Sequence, residues 1–121
     1  MSLLSNKQKT FHHGNDEQTK GLITFAYGAQ QYIDLAIALG QSIARFSPEI
    51  PRALVTDSPD ANLIRYFDPI IPLRSEWGSD VSQKLFIDIY SPFDKTLFID
   101  CDSIVLADLS FAFDLFNERP A

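Results

Sequence analysis

The chain has 121 residues, room for one small domain and not two, and 45% of them are hydrophobic, enough for a real core. Its 10 Lys and Arg stand against 16 Asp and Glu, a net charge of -6, which argues against a nucleic-acid binder, since such proteins are usually basic. Cys101 is the only cysteine, so no internal disulfide can form, and no apolar run approaches the length of a membrane span.

Residues 1–20 read as a polar, disordered tail that lacks the apolar stretch of a secretory signal. His12 and His13 lie in it and read as a solvated pair rather than a metal site. With the single cysteine, this fits a reducing, cytoplasmic setting. Order is expected from Gly21. LITFAY (22–27) predicts a strand that Gly28 interrupts. From Ala29 to Phe46 the apolar period becomes helical, through Tyr32, Leu35, Ala36, Leu39, Ile43 and Phe46, with Ile33, Ile37 and Ala44 as a second stripe. That helix should be largely buried, and Gly40 is placed to allow a close approach to a sheet. Ser47-Pro48 ends it. RALVT (52–56) predicts a second strand closing at Asp57. Ser58-Pro59 reads as the cap of a short helix to Tyr66. Pro69 to Leu73 predicts a third strand, and Arg74 to Gly78, with Trp77, a loop. Ser79 or Asp80 caps a helix to Tyr90 with Val81, Leu85 and Ile89 inward. Thr96 to Ile99 predicts a fourth strand, Ile104 to Leu106 one more, and Leu109 to Phe116 a last amphipathic helix. Regular alternation of strand and helix predicts an α/β fold, a Rossmann-like three-layer αβα arrangement with a mostly parallel sheet.

Such sheets bind ligands at the carboxyl ends of their strands, where Tyr27-Gly28, Asp57 and Asp100-Cys101-Asp102 are all predicted to fall. In an extended chain, Asp100 and Asp102 point to one side while Cys101 faces the opposite packing layer as a small core residue. Two carboxylates held together repel each other unless a proton or a cation intervenes, and a hard divalent cation suits oxygen ligands.

The sequence from Leu22 to Phe116 resembles the N-terminal, nucleotide-sugar-binding half of GT-A glycosyltransferases, closest to the glycogenin-like retaining enzymes of family 8. The likeness rests on ITFAYG followed by YIDLAIALGQSI, on RALVTD, and above all on QKLFIDIY-SPFDKTLFIDCDSIVLADL. The last combines a basic residue before leucine, a helix, a strand and a D-x-D block. The resemblance implies that 21–121 is a nucleotide-diphospho-sugar-binding half-domain. Asp100 would touch ribose and metal, and Asp102 would ligate the metal, Mn²⁺ or Mg²⁺. Lys84 would be the basic, catalytic residue beside the donor. Phe25, Ala26, Tyr27 and Tyr32 would face the nucleoside, with Asp57 at the second strand's end, and Cys101 would be carried within the D-x-D block. The implied reaction transfers a hexose from a UDP-sugar to a hydroxyl acceptor.

On the residues alone, each position has a plainer reading. Lys84 reads equally as a solvated helix lysine, Tyr32 as core, Asp57 as a turn former and Trp77 as either a sugar cover or a packing residue. The family's catalytic domain continues into a second half that supplies a further metal ligand, typically histidine, and the acceptor pocket. No histidine follows Asp102 here, so the chain is expected to be a fragment or a reduced relative, with apolar surface that favours a homo-oligomer. Two other functions remain open: a non-catalytic nucleotide-sugar-binding module, and a haloacid dehalogenase-like phosphohydrolase with the first Asp as nucleophile.

Overall fold

The computed structural model of the chain describes residues 2–6, 19–58, 60–78 and 81–103. Its strands are β1 (Ser2–Asn6), β2 (Lys20–Ala26), β3 (Arg52–Thr56), β4 (Ile70–Pro72) and β5 (Lys95–Ile99), and its α-helices are α1 (Gln30–Phe46) and α2 (Ile87–Tyr90). Three 3-10 segments, Leu63–Arg65, Ser75–Trp77 and Val81–Phe86, complete the connections. The strands form one sheet in the order β1-β5-β2-β3-β4. β5, β2, β3 and β4 run parallel, and β1 pairs antiparallel with β5 at the edge. The protein is thus a mixed α/β, Rossmann-like fold.

Strand burial follows the alternation of side chains across a pleated sheet. Ile23, Phe25, Ala53, Val55 and Phe98 face one layer, where Ile87, Tyr90 and Phe93 close over them. Leu22, Leu97 and Ile99 face the other, under Leu39 and Ile43 of α1. Ala26 and Leu54 share that second face with Ile33, Ala36, Leu63 and Phe67. Central strands covered on both faces read as nearly continuous apolar and β-branched runs, which is why LITFA and RALVT are legible although each carries a threonine.

From β2 the chain steps outward through α1 to β3 and on to β4, then returns to place β5 on the other side of β2. Crossovers of one hand moving in opposite directions lie on opposite faces of a sheet. Accordingly α1 covers one face, and the Val81–Tyr90 stretch covers the other. The order reverses between β2 and β5, so the crevice at a topological switch point opens between their carboxyl ends.

Several expectations are corrected. The tail is not wholly unstructured: Ser2–Asn6 forms β1 and pairs with Lys95–Ile99, which satisfies the backbone groups that an open β5 edge would leave bare. The helix expected from Pro59 to Tyr66 shrinks to one 3-10 turn. Asn62 precedes that turn with no side-chain cap, Asp60 accepts the Asn62 N–H at 2.8 Å just before it, and Ser58 donates its N–H to Thr56 Oγ1. The expected inner face of the 79–90 helix is reversed: Leu85 is 82% exposed and Ile89 is 55% exposed, while Gln83, Ile87 and Tyr90 are buried. In α1, Tyr32 and Leu35 lie on the open side, and the buried stripe is Ile33, Ala36, Leu39, Gly40 and Ile43. Gly40 makes a close approach, but to the Tyr66-Phe67 segment rather than to the sheet. The predicted strand at 104–106, the helix at 109–116, and His12 and His13 lie outside the described residues. No helix among the described residues is long and apolar enough to cross a membrane.

Candidate functional site

Three strand ends meet at the carboxyl edge. β2 ends at Ala26 and passes through Tyr27 and Gly28 into α1; β3 ends at Thr56 before Asp57; β5 ends at Ile99 before Asp100. Gly28 takes φ +96°, in the left-handed region, and its N–H donates to Asp57 Oδ2 at 3.2 Å. The turn after β2 is therefore tied to the end of β3. This is the turn-shaping role that the sequence allows for Asp57, and it leaves the carboxylate exposed.

At the switch point, Lys84 Nζ lies 3.0 Å from Asp100 Oδ1. The pair forms because Phe98 and Asp100, two residues apart, face the layer that the Val81–Phe86 segment covers. The same ammonium lies 5.4 Å from the centroid of the Phe98 ring. It is held between an aromatic face and a carboxylate, both of which attract a cation. Burial pushes the Asp100 carboxyl up, but the hydrogen bond and charge of Lys84 lead the effects that bring it to rest below the ordinary aspartate value. Lys84 is therefore not simply a solvated helix lysine.

Asp102 is placed differently from the extended-chain expectation. Pairing ends at Ile99, and the Ser103 N–H donates to the Asp100 carbonyl at 3.0 Å, closing a turn over 100–103. The alternation that would align the two carboxylates stops there, and Asp102 is exposed. Cys101 does face the opposite layer, packed against the cluster of Ala26, Ile33 and Leu63. Burial raises its thiol pKa, and the charge of Asp102 raises it further, which fits a packing residue rather than a nucleophile.

The nucleoside-facing candidates divide. Phe25 and Ala26 are buried, and Phe25 meets Tyr90 at 5.5 Å and Phe98 at 6.0 Å between ring centroids, so both are core residues of β2 rather than groups that face a ligand. Tyr27 is half-buried, edge-on to Phe25 at 6.5 Å. Tyr32, expected in the core, is 40% exposed in the first turn of α1, directly above the same edge. Trp77 packs rather than stands free. It stacks on Phe86 at 4.2 Å, meets the edge of Tyr90 at 5.1 Å, and has the Arg74 guanidinium 4.8 Å from its ring centroid.

One buried residue escapes sequence reasoning. Gln83 is fully buried; its amide donates to the Arg74 carbonyl at 2.7 Å and the Gly78 carbonyl at 2.5 Å, and its Oε1 accepts the Tyr90 hydroxyl at 2.6 Å. Tyr90 in turn accepts the Arg74 N–H at 2.9 Å. This network fixes the Arg74–Gly78 loop beside the helix that carries Lys84. A depression of about 350 Å³ lined by Pro51, Arg52, Arg65 and Asp68 opens at the amino end of β3, away from these groups, and there Arg52 Nε holds the Tyr66 carbonyl at 2.6 Å.

The donor set fits a divalent cation in one specific manner. No group of three or more His, Cys, Asp or Glu is gathered among the described residues, so they form no all-protein cage. Asp100, held ionised, and Asp102, exposed two residues on, supply hard oxygen donors of the kind that bind Mg²⁺ through one or two carboxylates plus substrate phosphates. In comparisons with known proteins, no family model and no curated protein matches this chain.

Proposed function

We propose that this chain forms the donor half-site of a metal-dependent, retaining glycosyltransferase of the GT-A, family-8-like kind. It would hold a UDP-sugar at the carboxyl edge of the sheet, for transfer of a hexose to a hydroxyl acceptor, in a reducing, cytoplasmic setting. The observation that carries the reading is the Lys84–Asp100 pair at the switch point between β2 and β5. A charge-compensated acid in a crevice, followed two residues later by an exposed acid, suits a ligand that brings both a cation and a diphosphate.

In this reading Asp100 and Asp102 would hold the cation through carboxylate oxygens. A bound divalent cation neutralises charge on a diphosphate leaving group as a Lewis acid. Lys84 places an ammonium beside that diphosphate, where removing a single preorganised charge typically costs about 10²–10³ in rate. Tyr27 and the exposed Tyr32 offer faces for the base at the end of β2, and Asp57 keeps the Tyr27-Gly28 turn in position.

Calorimetric titration with uridine diphosphate, in Mn²⁺ and in chelator, tests the reading. Binding that needs Mn²⁺ and disappears in Asp102→Asn supports it. Equal affinity with and without metal would remove the metal bridge and leave a metal-independent binding module.

A further inference from the structure

The two acids at the end of β5 raise the question of which positive charge stands between them and the crevice. In this structure Lys84 is the leading one. Its ammonium occupies Oδ1 of Asp100 at 3.0 Å and borders the Phe98 ring. Both partners are only partly exposed, 35% for Lys84 and 27% for Asp100, so water screens the contact incompletely. A carboxylate oxygen engaged by an ammonium is a poorer metal ligand, and a dication brought onto Asp100 meets the repulsion of Lys84 at a few ångströms. The lysine stem is long and its rotamers are many, so the head can leave while the backbone of the Val81–Phe86 segment stays in place.

We propose that Lys84 is a resident counterion which a divalent cation must displace from Asp100, and that the phosphates of an arriving diphosphate draw it away, so that cation and diphosphate bind cooperatively through this one side chain. The inference rests on the metal and diphosphate site proposed above. Its content is additional: Lys84 opposes the cation when the site holds no nucleotide and favours the complex when it does. Reciprocity follows, because any factor by which the diphosphate tightens the cation is the factor by which the cation tightens the diphosphate.

The test is calorimetry of Mn²⁺ alone into the wild-type chain, Lys84→Met and Lys84→Arg, repeated with saturating uridine diphosphate. Without nucleotide, Lys84→Met is expected to bind Mn²⁺ about three- to tenfold more tightly than wild type, the scale of one partly exposed charge pair plus the lost repulsion. Lys84→Arg, which can grip the carboxylate with two donors, is expected to bind it more weakly than wild type. With uridine diphosphate, the gain in Mn²⁺ affinity should be larger in wild type than in Lys84→Met. Should Lys84→Met fail to fold, the Lys84→Arg comparison carries the opposite sign and decides alone. Equal or weaker Mn²⁺ binding by Lys84→Met, with wild-type binding intact, overturns the counterion role and leaves the half-site reading standing. Absence of Mn²⁺ binding in wild type and variants alike overturns both.

Discussion

The Tyr90 hydroxyl donates to Gln83 Oε1 at 2.6 Å while accepting the Arg74 N–H at 2.9 Å, so a core tyrosine and a core amide together hold the loop after β4. Gln83→Leu keeps the volume and removes the donors to the Arg74 and Gly78 carbonyls. Partners left unpaired in a buried place cost about 1–3 kcal/mol. The expected outcome is a lower urea midpoint, followed through Trp77, the only tryptophan and itself part of this loop. A red-shifted native emission should accompany it. An unchanged midpoint and spectrum would show that the network holds nothing.

That network also marks where the sequence is and is not legible. Runs such as LITFA and RALVT announce buried strands because both of their faces are mostly apolar, and the alternation of strand and helix is enough to expect a parallel sheet with its site at the carboxyl ends. The 81–90 stretch offers two helical faces. Val81, Leu85 and Ile89 look inward by hydrophobicity, yet the face that packs is Gln83, Ile87 and Tyr90. A glutamine becomes a core residue only because two carbonyls and a phenol wait for it, the carbonyls from a loop five and nine residues before it and the phenol from α2. β1 is hidden for a related reason: SLLSN is short and its pairing partner lies some ninety residues on, at Lys95–Ile99. In the site, the D-x-D spacing is readable, but the Lys84–Asp100 contact and the turn that swings Asp102 out of register depend on where β5 stops.

Gly40 sits inside α1, where alanine is ordinarily better by about 1 kcal/mol. A Cβ there would lie 2.5 Å from Tyr66 Cβ and 3.0 Å from the Phe67 ring. The Tyr66 Cβ is fixed to its backbone and cannot swing aside, so relief requires the helix to move off the 63–67 turn. Overpacking of this kind costs about 1–3 kcal/mol, which outweighs the propensity gain at most of that range. Gly40→Ala is therefore expected to lower the melting temperature. A rise would mean that the turn yields freely and that propensity decides.

Asp100 supplies a pH signature. Its carboxyl titrates lower in the folded chain than in the unfolded one, burial opposing and Lys84 leading the reduction. As pH falls, the unfolded chain therefore takes up this proton first. The contribution is complete above the ordinary aspartate range, near 4, and is lost as pH drops through the folded value. For a pair this exposed it amounts to at most about 1 kcal/mol. In chelator, the stability difference between wild type and Asp100→Asn should be constant from about pH 7 to pH 5 and shrink below about pH 4. A difference that stays flat to pH 3 would mean that Lys84 and Asp100 do not pair in solution.

Gly28 is the counterpart of Gly40, constrained by conformation instead of space. Nothing lies within 4 Å of a Cβ built on it, so a methyl group meets no neighbour. Its φ of +96° is the whole obstacle, because side-chain-bearing residues avoid that region at a cost of roughly 1–2 kcal/mol. The conformation is not idle, since it points the Gly28 N–H at Asp57 Oδ2 and joins the ends of β2 and β3 at the edge where a base would stack. Gly28→Ala is expected to destabilise the chain by about that strain, and Gly28→Asn by less, because asparagine tolerates positive φ better than other residues. Asp57→Ala, which removes an exposed and rather long hydrogen bond, should cost no more than about 0.5–1 kcal/mol of stability. If the turn positions the nucleoside, Asp57→Ala and Gly28→Ala should both weaken uridine diphosphate binding by more than their stability losses suggest, and Gly28→Asn should restore part of it. Full affinity in Asp57→Ala and Gly28→Ala would make the Asp57–Gly28 contact a fold feature alone and would move the base away from the end of β2.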